Sequence, residues 1–313
     1  MLKRIDLSQV RAGMFIEDIE GSWGDNPLQK RRFLLDGVDA DVLRSSGLTV
    51  VLINTAKGTD VADSVASESR SELVERHRRQ VDAAMETLRK STGMLKDMFA
   101  SVGTGGPVSL DATGEIAFEI SKSVDDNPAV FISVTRLKSK DETTFLHSVA
   151  VSALMIHFGH YLRLEKTTVQ MLGVAGLLHD IGKLEVPHAI LNKQGTLDEA
   201  EMGVMRGHPM MGYNILSRQD DMPDMVLDIC RHHHERIDGR GYPDRISGRQ
   251  FTKLARLAAI CDVYDAVTSS RPYKKPWSSS EALRWMSRRD GHFDSQLLKK
   301  FMLCLAVTQP LSN

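Results

Sequence analysis

Eleven histidines stand in this chain of 313 residues, and their positions matter more than their number. His179 and Asp180 are adjacent, in the run Leu177-Leu178-His179-Asp180-Ile181-Gly182-Lys183. His147 lies upstream. Downstream come His208, the triplet His232-His233-His234, and Asp262 in Ala259-Ile260-Cys261-Asp262-Val263-Tyr264-Asp265. Imidazole nitrogens and carboxylate oxygens are the borderline and hard donors that suit iron, manganese, zinc or nickel. A carboxylate can also bridge two ions, which imidazole does poorly. One His-Asp pair on a helix offers two donors at neighbouring azimuths and cannot saturate a metal. Its partners must therefore arrive from other helices, as in the metal sites of bundle cores. A single histidine near a helix end is usually a cap or a surface residue, and a lone His-Asp dipeptide is common by chance. The ordered set, spread over successive helical segments, points to a metal site.

Those donors require several helices. Apolar residues at helical spacing mark Ser148–Leu162, Val169–His179, Glu199–Leu216, Pro223–His233, Arg256–Thr268 and Ser280–Ser287. His147 opens the first of these segments, His179 closes the second, His208 sits inside the third, the histidine triplet closes the fourth and Asp262 lies on the fifth. Further upstream, Val74, His77, Val81, Ala84, Leu88, Ser91, Leu95 and Met98 follow a spacing of three and four. This heptad-like stripe suits a helix packed on its own domain and a dimerising coiled coil equally well. The stretch Ser101–Gly114 holds Gly103, Gly105, Gly106, Pro107 and Gly114 and reads as a loop or hinge. No Lys-Ser/Thr follows these glycines, so it is not a phosphate-binding loop. At the N-terminus, Met14–Phe15–Ile16 and Val50–Val51–Leu52–Ile53 read as strands, and Asp39–Ser46 as a short helix capped by Asp39.

Composition narrows the function classes. Forty basic residues against 41 acidic ones leave a net charge of −1, which gives no pull toward nucleic acid or anionic lipid. Aromatics at 6% argue against a stacking surface for single strands. Cys230, Cys261 and Cys304 are isolated, so neither a CxxC site nor a disulfide framework is indicated. Leu48–Ile53 is too short to span a bilayer and Met1–Glu20 lacks a signal-peptide pattern. The expected compartment is the cytoplasm, with no membrane and no nucleic acid polymer as partner.

The motifs, taken in order, resemble one family. His179-Asp180-Ile181-Gly182-Lys183 is similar to the signature of HD-superfamily phosphohydrolases. His233-His234-Glu235-Arg236, Asp238-Gly239 and Gly241-Tyr242-Pro243 resemble the extended signature of the HD-GYP family. Asp262-Val263-Tyr264-Asp265-Ala266-Val267-Thr268-Ser269, closing on Arg271-Pro272-Tyr273, resembles that family's next block. The resemblance covers about residues 125 to 305. Leu7–Phe15, Gly21-Ser22-Trp23 and Phe33-Leu34 are similar to a small uncharacterised domain found ahead of HD-GYP domains.

The resemblance implies a mainly α fold: an all-helical HD-type metal-binding domain at 120–313, a helical linker and hinge at 66–119, and a small β-rich (α+β) domain at 1–65. It implies hydrolysis of cyclic di-GMP to the linear dinucleotide pGpG, a reaction that many members of the family carry on to GMP. The implied metal ligands are His147, His179, Asp180, His208, His233, His234 and Asp262, with Asp180 as the bridge and His232 outside the set. Two divalent transition-metal ions, iron or manganese ahead of nickel or zinc, would activate a shared water and neutralise the phosphoryl oxygens. Lys183, one turn beyond the pair, would set an ammonium against the phosphate. Tyr242 would border the nucleotide, and Arg271 and Lys274 would contact it. Asp265 shares a helix face with Asp262 and would hold a ligand or Lys183. Some relatives carry a glutamate four residues before the first histidine and a third metal; here that position is Thr143, beside Glu142, which favours two metals. A receptor for cyclic dinucleotides, a module that binds a diguanylate cyclase, and a phosphodiesterase for another cyclic dinucleotide are the competing readings. A homodimer through the 66–99 helix is the partner expectation within the chain itself.

Overall fold

Val50–Asn54 alternate half-buried and buried side chains, the period-two signature of a strand with one face on a core. In the computed structural model, which describes residues 2–20, 33–35, 43, 50–61, 70–136, 143–269 and 276–308, this strand is central to a small sheet. The strands are β1 (Leu2–Asp6), β2 (Phe15–Glu20), β3 (Phe33–Leu34) and β4 (Val50–Asn54), in the order β1-β4-β2-β3. All pairings are antiparallel; Ile5 faces Val51 and Ile16 faces Ile53, with a register shift between Ile16 and Asp18. Ile5, Leu7, Val10, Met14, Ile16, Leu35, Leu43, Val51 and Ile53 form its core. β1 was not expected from the sequence. Most of the helix expected over Asp39–Ser46 lies outside the described residues, as does Gly21-Ser22-Trp23.

Contacts divide the chain into two units, Met1–Leu73 and Val74–Asn313. The second is helical among its described residues. It begins in α1 (Arg70–Gly103), continues through α2 (Leu110–Asp126) and α3 (Pro128–Thr135), and reaches its centre in α4 (Thr143–Tyr161) and α5 (Lys166–Leu178). A short 3-10 turn (Ile181–Glu185) leads to α6 (His188–Leu191), α7 (Glu199–Met205), α8 (His208–Leu216) and α9 (Asp224–His232). The chain closes with α10 (Lys253–Thr268), α11 (Ser279–Ser287) and α12 (Ser295–Thr308). No helix among the described residues is long and apolar enough to cross a membrane.

Of the two readings of the stripe on α1, packing on its own unit holds for Ala84, Leu88, Ser91, Leu95 and Met98, which are buried in the second unit, while Val74 and His77 are exposed. Residues 74–119, expected as linker and hinge, thus lie inside that unit. The expected loop Ser101–Gly114 shrinks, because Ser109 accepts the amide of Ala112 and caps α2 from Leu110 onward. The expected helix Glu199–Leu216 is two helices, broken at Arg206–Gly207, with Pro209 in the first turn of α8. His208 therefore starts a helix instead of lying within one.

Buried residues encircle α4 and α5, as for helices in the middle of a core. They pack almost backbone to backbone: a Cβ on Gly176 would sit 2.6 Å from the Cα of Ser152, whose hydroxyl donates to the Gly173 carbonyl at 2.9 Å. This close approach brings His147 on α4 beside the C-terminal end of α5, where His179 and Asp180 lie.

Candidate metal centre

Three imidazoles are held by the same device. The last carbonyls of a helix have no partner within it. His179 Nδ1 lies 2.8 Å from the Gly176 carbonyl near the end of α5, and His208 Nδ1 2.8 Å from the Met205 carbonyl at the end of α7. His233 Nδ1 lies 2.8 Å from the Cys230 carbonyl near the end of α9. A carbonyl can only accept, so each Nδ1 carries the proton and each Nε2 is left with a lone pair. His147 is set differently: its Nδ1 lies 2.6 Å from Oδ2 of Asp265, which directs Nε2 to Asp262 Oδ1 at 3.0 Å.

The lone pairs converge on Asp180. Its Oδ1 is 3.2 Å from His208 Nε2 and 3.9 Å from His233 Nε2. Its Oδ2 is 3.4 Å from His179 Nε2 and 3.7 Å from His147 Nε2, and it contacts the ammonium of Lys183. His208 Nε2 and His233 Nε2 face each other at 3.3 Å. Acceptors facing acceptors in a dry interior repel unless a cation lies between them. Asp180 Oδ1 and His179 Nε2 are buried without a hydrogen-bond partner, which is the same signature. His208, His233 and His234 form one group whose donor atoms lie within 4.8 Å of one another; His147, His179 and Asp262 form a second; His179, Asp180 and His233 form a third that overlaps both. The mixed nitrogen and oxygen donors fit first-row divalent ions.

The electrostatics prepare the donors. Burial pushes the pKa of His233 well down, and the neighbouring His234, His179 and His208 push it further. Burial also lowers His179, and it brings His234 down to about 3. These rings are neutral at pH 7, the state a ligand needs. Burial opposes charge on Asp180 and Asp262 too, but Lys183 and His179 at the first, and His147 and His234 at the second, hold both below the usual carboxylate range. His147 runs the other way: burial lowers it, and its hydrogen bonds with Asp262 and Asp265 more than offset that.

The remaining expected residues divide clearly. His234 Nδ1 lies 3.7 Å from Asp262 Oδ2, and the Tyr242 ring stacks on His234 with centroids 4.7 Å apart. His232 turns away, with its ring nitrogens 2.7 Å from Asp228 and 3.0 Å from Asp244. Arg271, Lys274 and Glu142 lie outside the described residues, and Thr143 is described only as the first residue of α4.

Gly182 and Glu235 stand in the motifs quoted above, but sequence reasoning gave neither a role. A Cβ on Gly182 would fall on the His208 carbonyl oxygen and the Gly212 amide, so the 3-10 turn and α8 touch through bare backbone. That contact joins the His-Asp pair to His208. The glycine of the Asp-Ile-Gly-Lys run was the available signal. Glu235 is buried, and its Oε1 accepts the amides of Asp244 and Arg245 at 2.7 and 2.9 Å. It anchors the loop that carries Tyr242. Gly241 lets that loop fold back, since a Cβ there would sit 2.5 Å from the Cα of Glu235. A cavity of about 580 Å³ opens on His233, His234 and Tyr242, and arginines also line it.

The comparisons agree with this geometry. The HD domain family matches residues 121–297, and a domain of unknown function (DUF3391) matches residues 2–113. The cyclic di-GMP phosphodiesterase PA4108 of Pseudomonas aeruginosa is 42% identical over 98% of this chain and 77% of its own length. The cyclic di-GMP phosphodiesterase response regulator RpfG of Xanthomonas campestris is 41% identical over 42% of this chain and 35% of its own length. Among solved structures, Bd1817, an HDG"Y"P protein from Bdellovibrio bacteriovorus, aligns over 98% of this chain and all of its own, with a TM-score of 0.59 at 17% identity. That likeness extends the agreement to the fold of both units. With an HD domain over more than half its length and a relative alike across nearly all of it, the chain belongs to the HD-domain family, in its HD-GYP branch, with DUF3391 ahead of the HD domain.

Proposed function

We propose that this chain is a metal-dependent phosphodiesterase that hydrolyses cyclic di-GMP to linear pGpG. The observation that carries the reading is the convergence of buried lone pairs from His179, His208 and His233 on the two oxygens of Asp180. The 42% identity to a cyclic di-GMP phosphodiesterase across nearly the whole chain supplies the substrate class.

The residues divide the work. His147, His179 and Asp262 would hold one ion, and His208, His233 and His234 another, with Asp180 offering one oxygen to each. Two divalent cations, iron or manganese by preference, would supply acidification of a water between them and neutralisation of the phosphoryl oxygens as charge develops. Asp265 fixes the His147 ring, and the three helix-end carbonyls fix the other imidazoles, so little reorganisation is needed when charge appears. Lys183 rests on Asp180 and keeps that carboxylate ionised; its remaining hydrogens are available to a phosphate oxygen. Tyr242, stacked on His234, offers a ring edge to a nucleobase at the mouth of the centre.

The test is anaerobic incubation of the purified, metal-loaded chain with cyclic di-GMP, beside Asp180→Ala, with products separated by chromatography and metals counted by mass spectrometry. Turnover by the parent alone, with about two ions per chain, is the expected result. GMP among the products means that the second bond is also cut. Binding without product by the fully metallated chain would make it a receptor. Faster cleavage of a mixed cyclic dinucleotide in competition would move the substrate assignment to that compound.

A further inference from the structure

The cavity beside the metal centre is lined by Arg206, Arg236, Arg240 and Arg245 as well as by His233 and His234. Arg236 is already spent in a two-point pair with Asp238, at 3.0 and 2.6 Å. Arg206, Arg240 and Arg245 make no ion pair among the described residues. Three guanidiniums around one cavity repel one another, and an anionic occupant relieves that repulsion. Arg206 is placed over the face of Tyr242, 6.0 Å from the ring centroid, and Tyr242 in turn lies on His234. That contact puts Arg206 next to the centre, and Arg240 and Arg245 line the same cavity as His233 and His234.

Arg245 supplies the independent observation. Its backbone has φ +55, in the left-handed region that favours glycine. The same loop region uses glycine at its other such positions, Gly239 at +72 and Gly248 at +58. The amide of Arg245 is bonded to buried Glu235, so the backbone needs that conformation; it does not need a side chain. An arginine held there against the local preference, facing a cavity, points to a role for its guanidinium.

We infer that Arg206, Arg240 and Arg245 form a subsite for the second phosphate of a two-phosphate substrate, gripping it while the other phosphodiester lies at the His/Asp centre. The inference rests on the cyclic dinucleotide reading above and makes it more specific. Guanidinium forks match phosphate oxygens two at a time. A cavity of about 580 Å³ also falls in the range that encloses a ligand of several rings. The subsite selects for substrates with a second negative charge at a fixed distance from the scissile one.

The experiment uses the metal-loaded full chain and bis(p-nitrophenyl) phosphate, a diester with a single charge, as chromogenic substrate. Cyclic di-GMP is added as competitor, so its affinity is read whether or not it is cut. The parent is compared with Arg245→Gly, Arg245→Lys and the triple variant Arg206→Ala/Arg240→Ala/Arg245→Gly. The inhibition constant of cyclic di-GMP should rise about 10-fold for Arg245→Gly and about 100-fold or more for the triple variant, as each charge-assisted pair is lost. Arg245→Lys should recover part of the loss. Arg245→Gly should melt no lower than the parent, since glycine suits φ +55. Inhibition constants within twofold of the parent in all variants would overturn the subsite. Tight, arginine-dependent inhibition without cleavage would leave the subsite standing and defeat the phosphodiesterase reading. No inhibition of the parent at all would defeat both.

Discussion

His179, His208 and His233 are each 1–2% exposed, and their Nδ1 protons are tied to helix-end carbonyls. Arg206, Arg240 and Arg245 are exposed, and their guanidiniums make no ion pair among the described residues. His233 and His234 reach the cavity that the arginines line, so a deep part whose geometry is set before any ligand arrives adjoins an outer part set only when a ligand is gripped. The difference reflects desolvation. Lone pairs removed from water must be aimed and shared with a cation, which demands rigid support. Guanidiniums left in water need no fixed partner and keep their freedom until a phosphate orders them.

The sharpest challenge to this contrast is Asp180→Asn. It keeps the side chain's shape and removes the charge on which the imidazoles converge. Turnover should fall by about 10³-fold or more, with loss of bound metal in the same sample. Retained turnover would mean that the deep cluster is not where reaction occurs.

Gly182→Ala asks whether the deep part is rigid because backbones touch. The new methyl group must displace the His208 carbonyl or the Gly212 amide, and neither can rotate away. A loss of about 3 kcal/mol in urea unfolding is expected. A neutral result would show that the turn and α8 can separate, and the contrast would weaken.

Asp265→Asn tests the support beneath a single ring. It leaves the donors of the site in place and weakens the bond that orients His147, while an amide oxygen can still accept the Ser269 hydroxyl that Asp265 Oδ1 accepts at 2.7 Å. Metal affinity should drop by about 10–100-fold in competition with a chelator. An unchanged affinity would mean that packing alone holds the ring.

The smallest effect is in the pH dependence of the metal-free chain. His179, His233, His234 and His292 have lowered pKa values, His234 at about 3 and His292 at about 4, mainly through burial. Between those values and about 6.5 the unfolded chain binds the extra protons, so stability is full above pH 6.5 and is lost as pH falls. His147 and His232 are raised and oppose this, fewer in number. The melting temperature should decline by a few degrees between pH 7 and pH 5 in low-salt buffer. A rise on acidification would show that the raised pair outweighs the buried set.

The deep part was readable because its chemistry lies in residue identity. A His-Asp pair, a histidine triplet and a carboxylate on a later helix are rare enough together to mark a site. The arginines were not readable. Arg206, Arg240 and Arg245 are ordinary surface charges in the sequence, and nothing in their spacing says that they share a cavity. The stripe on α1 was ambiguous in a different way, since the same three-and-four spacing serves a partner helix and a chain's own core. The break at Arg206–Gly207 was hidden because apolar residues continue across it from Val204 to Met210.

By itself, the sequence determined the residue types of the centre, most of the helical segments that carry them and two of the strands of the small sheet, because periodicity and donor chemistry are local properties. The tertiary structure alone decided that Asp180 meets two sets of imidazoles, and that an arginine occupies a left-handed backbone position on the cavity. The meeting at Asp180 depends on which backbones touch at Gly176 and Gly182. Distances of that kind arise only when segments far apart in the chain come together around a common core.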